Sequence, residues 1–229
     1  MKNLKLAAVC LSCLTMTGCS ALNFSVEGLI NAPKLTSEQS EIHQALIESV
    51  GSNITLKYPK NGEYRSAYVI ANIDDEPTDE AMVFYEYTSN GSEEDGLRVN
   101  ILDKDEDGKW YSVKELAGAG TDIDQVIISP MGSNNQTDVF VGYQNLTNDE
   151  KTMEIYSYTD GDFKRVALDT YSVLEPLDIN NDGYIELITI QRSTNNDTGA
   201  VTAKASMLNM KNNEITRGEN VDMCDNVTS

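Results

Sequence analysis

Three nine-residue segments of this chain align without a gap, beginning at Asn72, Pro130 and Asp178 and closing on Glu80, Asp138 and Glu186. Each is followed at once by an apolar run: Ala81-Met-Val-Phe84, Val139-Phe-Val-Gly142 and Leu187-Ile-Thr-Ile190. The segments start 58 and 48 residues apart. Apolar runs of this length, rich in Val, Ile, Tyr and Thr and bounded by Gly, Asn and Asp, read as β-strands. A period near fifty residues therefore means a structural unit used three times, and few folds are compatible with that.

The rest of the chain after Gly51 fits the same unit. Runs at 67–71, 81–87, 97–102, 110–113, 126–128, 139–143, 153–158, 163–168, 187–190 and 201–208 all read as strands. Leu97, Val99 and Ile101 alternate with Arg98 and Asn100, the pattern of a strand with one buried face. After each exit strand come two more, joined by polar turns at 103–109, 159–162 and 211–213. Four strands per fifty-residue repeat is the pattern of a β-propeller blade, so the expected fold is all-β, with three blades in residues 52–229. Three is fewer than a closed propeller needs, so an incomplete propeller or a truncated chain is expected. Residues 54–58 read as an outermost strand separated from its own blade.

Ahead of the strands, residues 36–51 predict one short helix. Thr36-Ser-Glu-Gln39 has the form of a capping box, Ile42, Ala45, Leu46 and Val50 fall on one face, and Gly51 supplies a left-handed cap. His43 points off that face and reads as solvated.

Of the three aligned segments, Asp178-Ile-Asn-Asn-Asp-Gly-Tyr-Ile-Glu186 carries chemistry. Asp178, Asn180 and Asp182 offer side-chain oxygens, Tyr184 its carbonyl and Glu186 a closing carboxylate, around the bend at Gly183. An all-oxygen set of this number suits calcium rather than zinc, copper or magnesium, and extracellular calcium modules bind with Kd on the order of 0.1–1 mM. The alternative is an Asx-rich turn without metal. In the first segment Asn72, Asp74, Glu76 and Glu80 retain oxygens, but Pro77 replaces the glycine. The second, with Pro130, Gly132, Asn134 and Asp138, reads as a turn. Asp103 to Gly108 imitates the start of an EF-hand, yet it lies between strands and reads as a hairpin.

The first residues read as an export signal: Lys2 and Lys5, then an apolar run from Leu6 to Met16 that is too short to span a bilayer. Thr17-Gly18-Cys19-Ser20 resembles the lipobox of bacterial lipoproteins, which implies a signal peptide at 1–18, a lipid on Cys19 and a tether through 19–35. The alternative is an ordinary secretory signal with an incidental Cys19. With Cys10 and Cys13 in the signal and Cys19 acylated, Cys224 is left alone and no internal disulfide forms. A single histidine argues against Ser-His-Asp catalysis and histidine zinc sites. The net charge of −20 becomes −22 once residues 1–18 and their two lysines are removed. A surface of that sign repels nucleic acid and anionic headgroups.

The segment 178–190 resembles the calcium loop of FG-GAP/VCBS repeats found in integrin-like propellers. Leu35-Thr-Ser-Glu-Gln39, Ile54-Thr-Leu-Lys-Tyr-Pro-Lys60, Tyr64-Arg-Ser-Ala-Tyr68 and Glu115-Leu-Ala-Gly-Ala-Gly120 are similar to segments of propeller lipoproteins of gut Firmicutes that have no assigned activity. The resemblance implies a lipid-anchored, extracytoplasmic, calcium-stabilised propeller and brings no catalytic residue with it. The function expected is a binding or scaffold module for a protein or glycan, touching the membrane only through its N-terminal lipid. The alternative is an extracytoplasmic enzyme acting on polysaccharide from the same scaffold.

Overall fold

The computed structural model describes residues 35–88, 96–131, 136–145, 150–194, 197–211 and 214–223. The chain divides into two units, Met1–Thr36 and Ser37–Ser229, and every element below belongs to the second. The signal, the tether, Cys19 and Cys224 lie outside the described residues.

Among the described residues one helix, α1 (Ser37–Val50), comes first. It stops where Gly51 turns to φ +85° and donates its N–H to the Ile47 carbonyl at 2.9 Å, closing the last turn as a left-handed cap. Ile42, Ala45 and Leu46 are buried, as the helical spacing requires. His43 corrects the sequence reading. It is half-buried, with Nδ1 2.8 Å from the Tyr68 hydroxyl, because the strand beneath brings a phenol up to that flank.

Fourteen strands follow among the described residues, in three antiparallel sheets taken in chain order. Sheet I holds β1 (Ile54–Leu56), β2 (Tyr68–Ala71), β3 (Glu80–Tyr87), β4 (Leu97–Lys104) and β5 (Trp110–Ala117). Sheet II is β6 (Asp122–Ser129), β7 (Asp138–Gln144), β8 (Lys151–Thr159) and β9 (Asp162–Tyr171), each paired to the next. Sheet III is β10 (Val173–Leu177), β11 (Glu186–Thr194), β12 (Val201–Lys211), β13 (Glu214–Arg217) and β14 (Val221–Met223).

β1 departs from expectation. It is not a stray outer strand but pairs with Tyr85–Tyr87 of β3, beside β2, which pairs with Glu80–Val83 on the same edge. Two short strands thus share one long one. β14 does the equivalent in sheet III, pairing with Ala203–Ala205 of β12 while β13 pairs further along at Leu208–Lys211. The β8–β9 connection is a two-residue turn with Asp160 at φ 55° and Gly161 at φ 75°. Positive φ at both central residues matches the right-handed twist of a hairpin, and the Asp-Gly pair tolerates it.

Cores form between successive layers. α1 covers one face of sheet I over Ala67, Ala81, Val83, Tyr85 and Trp110. The other face of sheet I, through Met82, Phe84, Val99 and Ile101, packs on Val139, Val141 and Tyr143 of sheet II. Sheet II then turns Phe140, Met153, Ile155 and Tyr171 toward Leu174, Leu187 and Leu208 of sheet III. Sheet I is therefore buried on both faces. Asn100, read from its alternation as an outward polar residue, is 0% exposed because the helix side is covered too.

Polar ties cross the same gaps. Lys114 of β5 donates to an Asp162 carboxylate oxygen at 2.5 Å and to the Phe163 carbonyl at 2.6 Å. Arg217 of β13 reaches Asp169 of β9 at 2.5 Å while holding the Thr189 and Ser206 hydroxyls at 3.0 and 2.9 Å. Asp124, 1% exposed, accepts from Asn61, Lys151 and Tyr171 at 2.7–2.8 Å, so its buried charge is fully hydrogen-bonded.

Candidate functional site

The three aligned segments occupy the same place in each sheet. Residues 72–79 join β2 to β3, residues 130–137 join β6 to β7, and residues 178–185 join β10 to β11. In every case the closing acid is the first residue of the following strand and accepts a hydrogen bond from the backbone N–H seven residues earlier. Glu80 Oε2 takes the Ile73 amide at 2.8 Å, Asp138 Oδ2 the Met131 amide at 3.1 Å, and Glu186 Oε2 the Ile179 amide at 2.9 Å. The repeated acid is thus a clip across its own loop. A carboxylate on a backbone N–H is a charge-assisted bond, stronger than the neutral pairs around it.

In the third loop the clip is one part of a closed set. Asp178 accepts from the Asp182 and Gly183 amides at 3.1 and 3.0 Å, and Asn180 Oδ1 from the Asp182 amide at 2.9 Å. Asp182 Oδ1 accepts from the Tyr184 amide at 2.9 Å. The Asn180 amide nitrogen lies between two carboxylates, donating to Asp182 Oδ2 at 3.0 Å and Glu186 Oε1 at 3.4 Å. Asn181 at φ 59° and Gly183 at φ 91° make the bend. The loop therefore gathers Asp178, Asn180, Asp182 and Glu186, with Tyr184 engaged through its backbone N–H.

As a donor set this fits a hard cation: oxygens only, four side chains on one short loop, and a glycine where the backbone must turn. The arrangement differs from a coordination sphere in one respect. Asn180 turns its NH2 toward the acids, and among the described residues no three His, Cys, Asp or Glu side chains converge on one metal-sized point. Rotating the Asn180 amide by half a turn exchanges that NH2 for an oxygen at the same place.

The first loop differs in burial. The Asn72 side chain donates to the Glu76 and Thr78 carbonyls, which closes the loop where Pro77 stands, and Asp74 accepts the Glu76 amide at 2.7 Å. Glu80 is 1% exposed, and its Oε1 has no hydrogen-bond partner. Burial, with further push from the Asp74 and Asp103 carboxylates, raises its pKa from the ordinary 4.5 to about 7, against the pull of the Ile73 amide. Burial also raises Asp74, with Asp103 and Asp75 adding to it. Glu80 lines a cavity of about 170 Å³ that also involves Asp74, Asp103, Tyr111, Tyr158 and Asp162. A carboxyl raised to about 7 by burial can exchange a proton near neutral pH.

Sequence reasoning found the acids at 80, 138 and 186 by alignment and missed what they do. It also missed the cavity, because Asp103, Tyr111 and Tyr158 come from other strands and share no sequence signal with loop 72–79. Tyr85, Tyr143 and Tyr156 are all buried in their sheets. Among the described residues no helix is long and apolar enough to cross a membrane. No protein-family model matches this chain, and a search of curated proteins returns no match.

Proposed function

We propose that the three sheets are consecutive blades of a β-propeller, and that the protein is an extracytoplasmic module held to a membrane by lipid on Cys19. In this reading it binds or scaffolds a protein or glycan partner and does not act on nucleic acid. The observation that carries it is the shared loop. Three four-stranded meanders follow one another in chain order, each with its first two strands joined by an eight-residue loop clipped by the same acid. Propellers present their connecting loops around a central channel, a platform suited to protein or glycan contacts by analogy of fold. The net charge of −20 favours cations and disfavours polyanions.

Calcium belongs to this proposal at the third loop, where Asp178, Asn180, Asp182, the Tyr184 carbonyl and Glu186 would hold it. There it would supply rigidity, by offsetting the mutual repulsion of three carboxylates. The experiment is thermal unfolding of Asp182→Ala beside the parent chain, in millimolar calcium and in chelator. A loss of melting temperature in calcium that largely vanishes in chelator supports the reading. An equal loss in both conditions assigns the loop to hydrogen bonding alone. Binding itself is tested on a glycan array with a hydrolysis screen on the same polysaccharides.

A second reading, a polysaccharide-cleaving enzyme, is favoured by one observation: the buried Glu80 carboxyl with a pKa of about 7 beside an acidic cavity. Turnover that Glu80→Gln abolishes would replace the binding reading with this one. Binding without turnover retires it.

A further inference from the structure

The three sheets have six broad faces, and among the described residues five are covered. α1 lies on the first, sheets I and II share two, and sheets II and III share two more. The sixth is the face of sheet III turned away from sheet II. Cross-strand pairing puts Ile188 and Ile190 at its centre, with Leu177, Val201, Met207 and Val221 around them.

This face repeats, position for position, the faces that sheets I and II bury. In the aligned exit strands Met82 packs on sheet II and Phe140 on sheet III, and Ile188 is their equivalent. In the loops Ile73 is 1% exposed, Met131 7% and Ile179 56%. Of the eleven exposed large apolar side chains among the described residues, six belong here: Ile179, Leu177, Val201, Met207, Val221 and Met223. Solvent-exposed apolar residues gathered on one face, rather than scattered, mark an interaction surface.

We propose that this face is a self-association surface, on which a second copy of the chain docks through the same face about a two-fold axis. The coverage of the other faces dictates the geometry. Among the described residues a copy has no other uncovered sheet face to offer, so a face-to-face contact between copies is isologous. Its size is adequate. Four strands at about 4.8 Å spacing and nine residues at about 3.3 Å rise span about 19 by 30 Å. With side-chain relief, that approaches the roughly 800 Å² per partner of a stable interface. The face is also self-complementary in charge, since Glu175 and Arg192 are both exposed on it, toward opposite ends. A two-fold axis between them places each over its opposite number.

The test is sedimentation velocity of the full chain carrying Cys19→Ser, so that no acyl group contributes, over a wide concentration range. A reversible monomer–dimer equilibrium is expected. It should tighten as salt rises, because the net charge of −20 on each copy opposes an apolar contact. Met207→Asp should weaken it by about tenfold or more, by burying a carboxylate among apolar side chains. Leu168→Asp, at an exposed apolar residue of β9 away from this face, should leave it unchanged. Far-UV circular dichroism checks that both variants fold. Monomer at every concentration overturns the proposal, as does equal sensitivity to the two substitutions. An open series of larger species overturns the two-fold geometry, because an isologous contact closes at two.

Discussion

Replacing Glu80 with glutamine should make the protein less sensitive to pH, and the size of the effect follows from its surroundings. The carboxyl is 1% exposed, and burial first, then Asp74 and Asp103, raise its pKa to about 7 in the folded chain. In the unfolded chain it returns to about 4.5. A carboxyl with a raised folded pKa costs nothing below the unfolded value, where both states are protonated. Its cost grows as pH climbs from about 4.5 to about 7 and is constant above. At 1.36 kcal/mol per unit, ionising Glu80 removes about 1 kcal/mol of stability at pH 5 and about 3 kcal/mol at pH 8. Glutamine keeps an oxygen for the Ile73 amide and cannot ionise. Any fixed cost of burying its NH2 is the same at both pH values and cancels in the comparison. Urea unfolding followed by circular dichroism, in chelator at pH 4.5 and pH 8, gives the difference directly. The variant should lose about 2–3 kcal/mol less than the parent between those pH values. Equal losses in the two proteins would refute the burial argument for Glu80.

Four further substitutions probe the packing, the loop clips and a turn. Gly142→Ala puts a Cβ 2.0 Å from the buried Tyr171 hydroxyl and should cost about 1–3 kcal/mol, read in the same unfolding assay. Asp138→Ala strands the buried Met131 amide and Ser157 hydroxyl and should cost about 2–4 kcal/mol. Glu186→Ala, the same clip in a solvent-exposed loop, should cost about 1 kcal/mol or less in chelator, because water can replace it. Gly161→Ala forces a side chain into φ 75° and should cost about 1 kcal/mol, visible as a lower melting temperature.

The strand-and-loop rhythm was legible because the repeat is written in residue types. A closing acid followed by an apolar run marks β3, β7 and β11 without error in register. The helix was legible for a similar reason, since capping and apolar spacing are local properties. What failed was whatever depends on a distant neighbour. β1 reads as a strand, but nothing in Ile54–Leu56 says that its partner is β3. β6 begins at Asp122, well before its apolar stretch, because Asp124 and Gln125 are buried in the strand and Asp124 is hydrogen-bonded from three directions. β10 shows no continuous apolar run, because Glu175 and Pro176 interrupt it, and an edge strand tolerates the proline.

At the loops, alignment revealed the acids and oxygen chemistry suggested an ion. Only the folded arrangement revealed the amide clip common to all three. The difference in burial between Glu80 and Glu186 was equally hidden, because each depends on which layer lies next to its sheet.

One acid–amide clip closes three equivalent loops, and amide NMR tests that most directly. The backbone amide protons of Ile73, Met131 and Ile179 should each respond chiefly to one substitution, Glu80→Gln, Asp138→Asn and Glu186→Gln in that order. Selective shifts in those three pairings are the expected result. Amides that ignore their own acid, or that all move together, would contradict a repeated unit built on that bond.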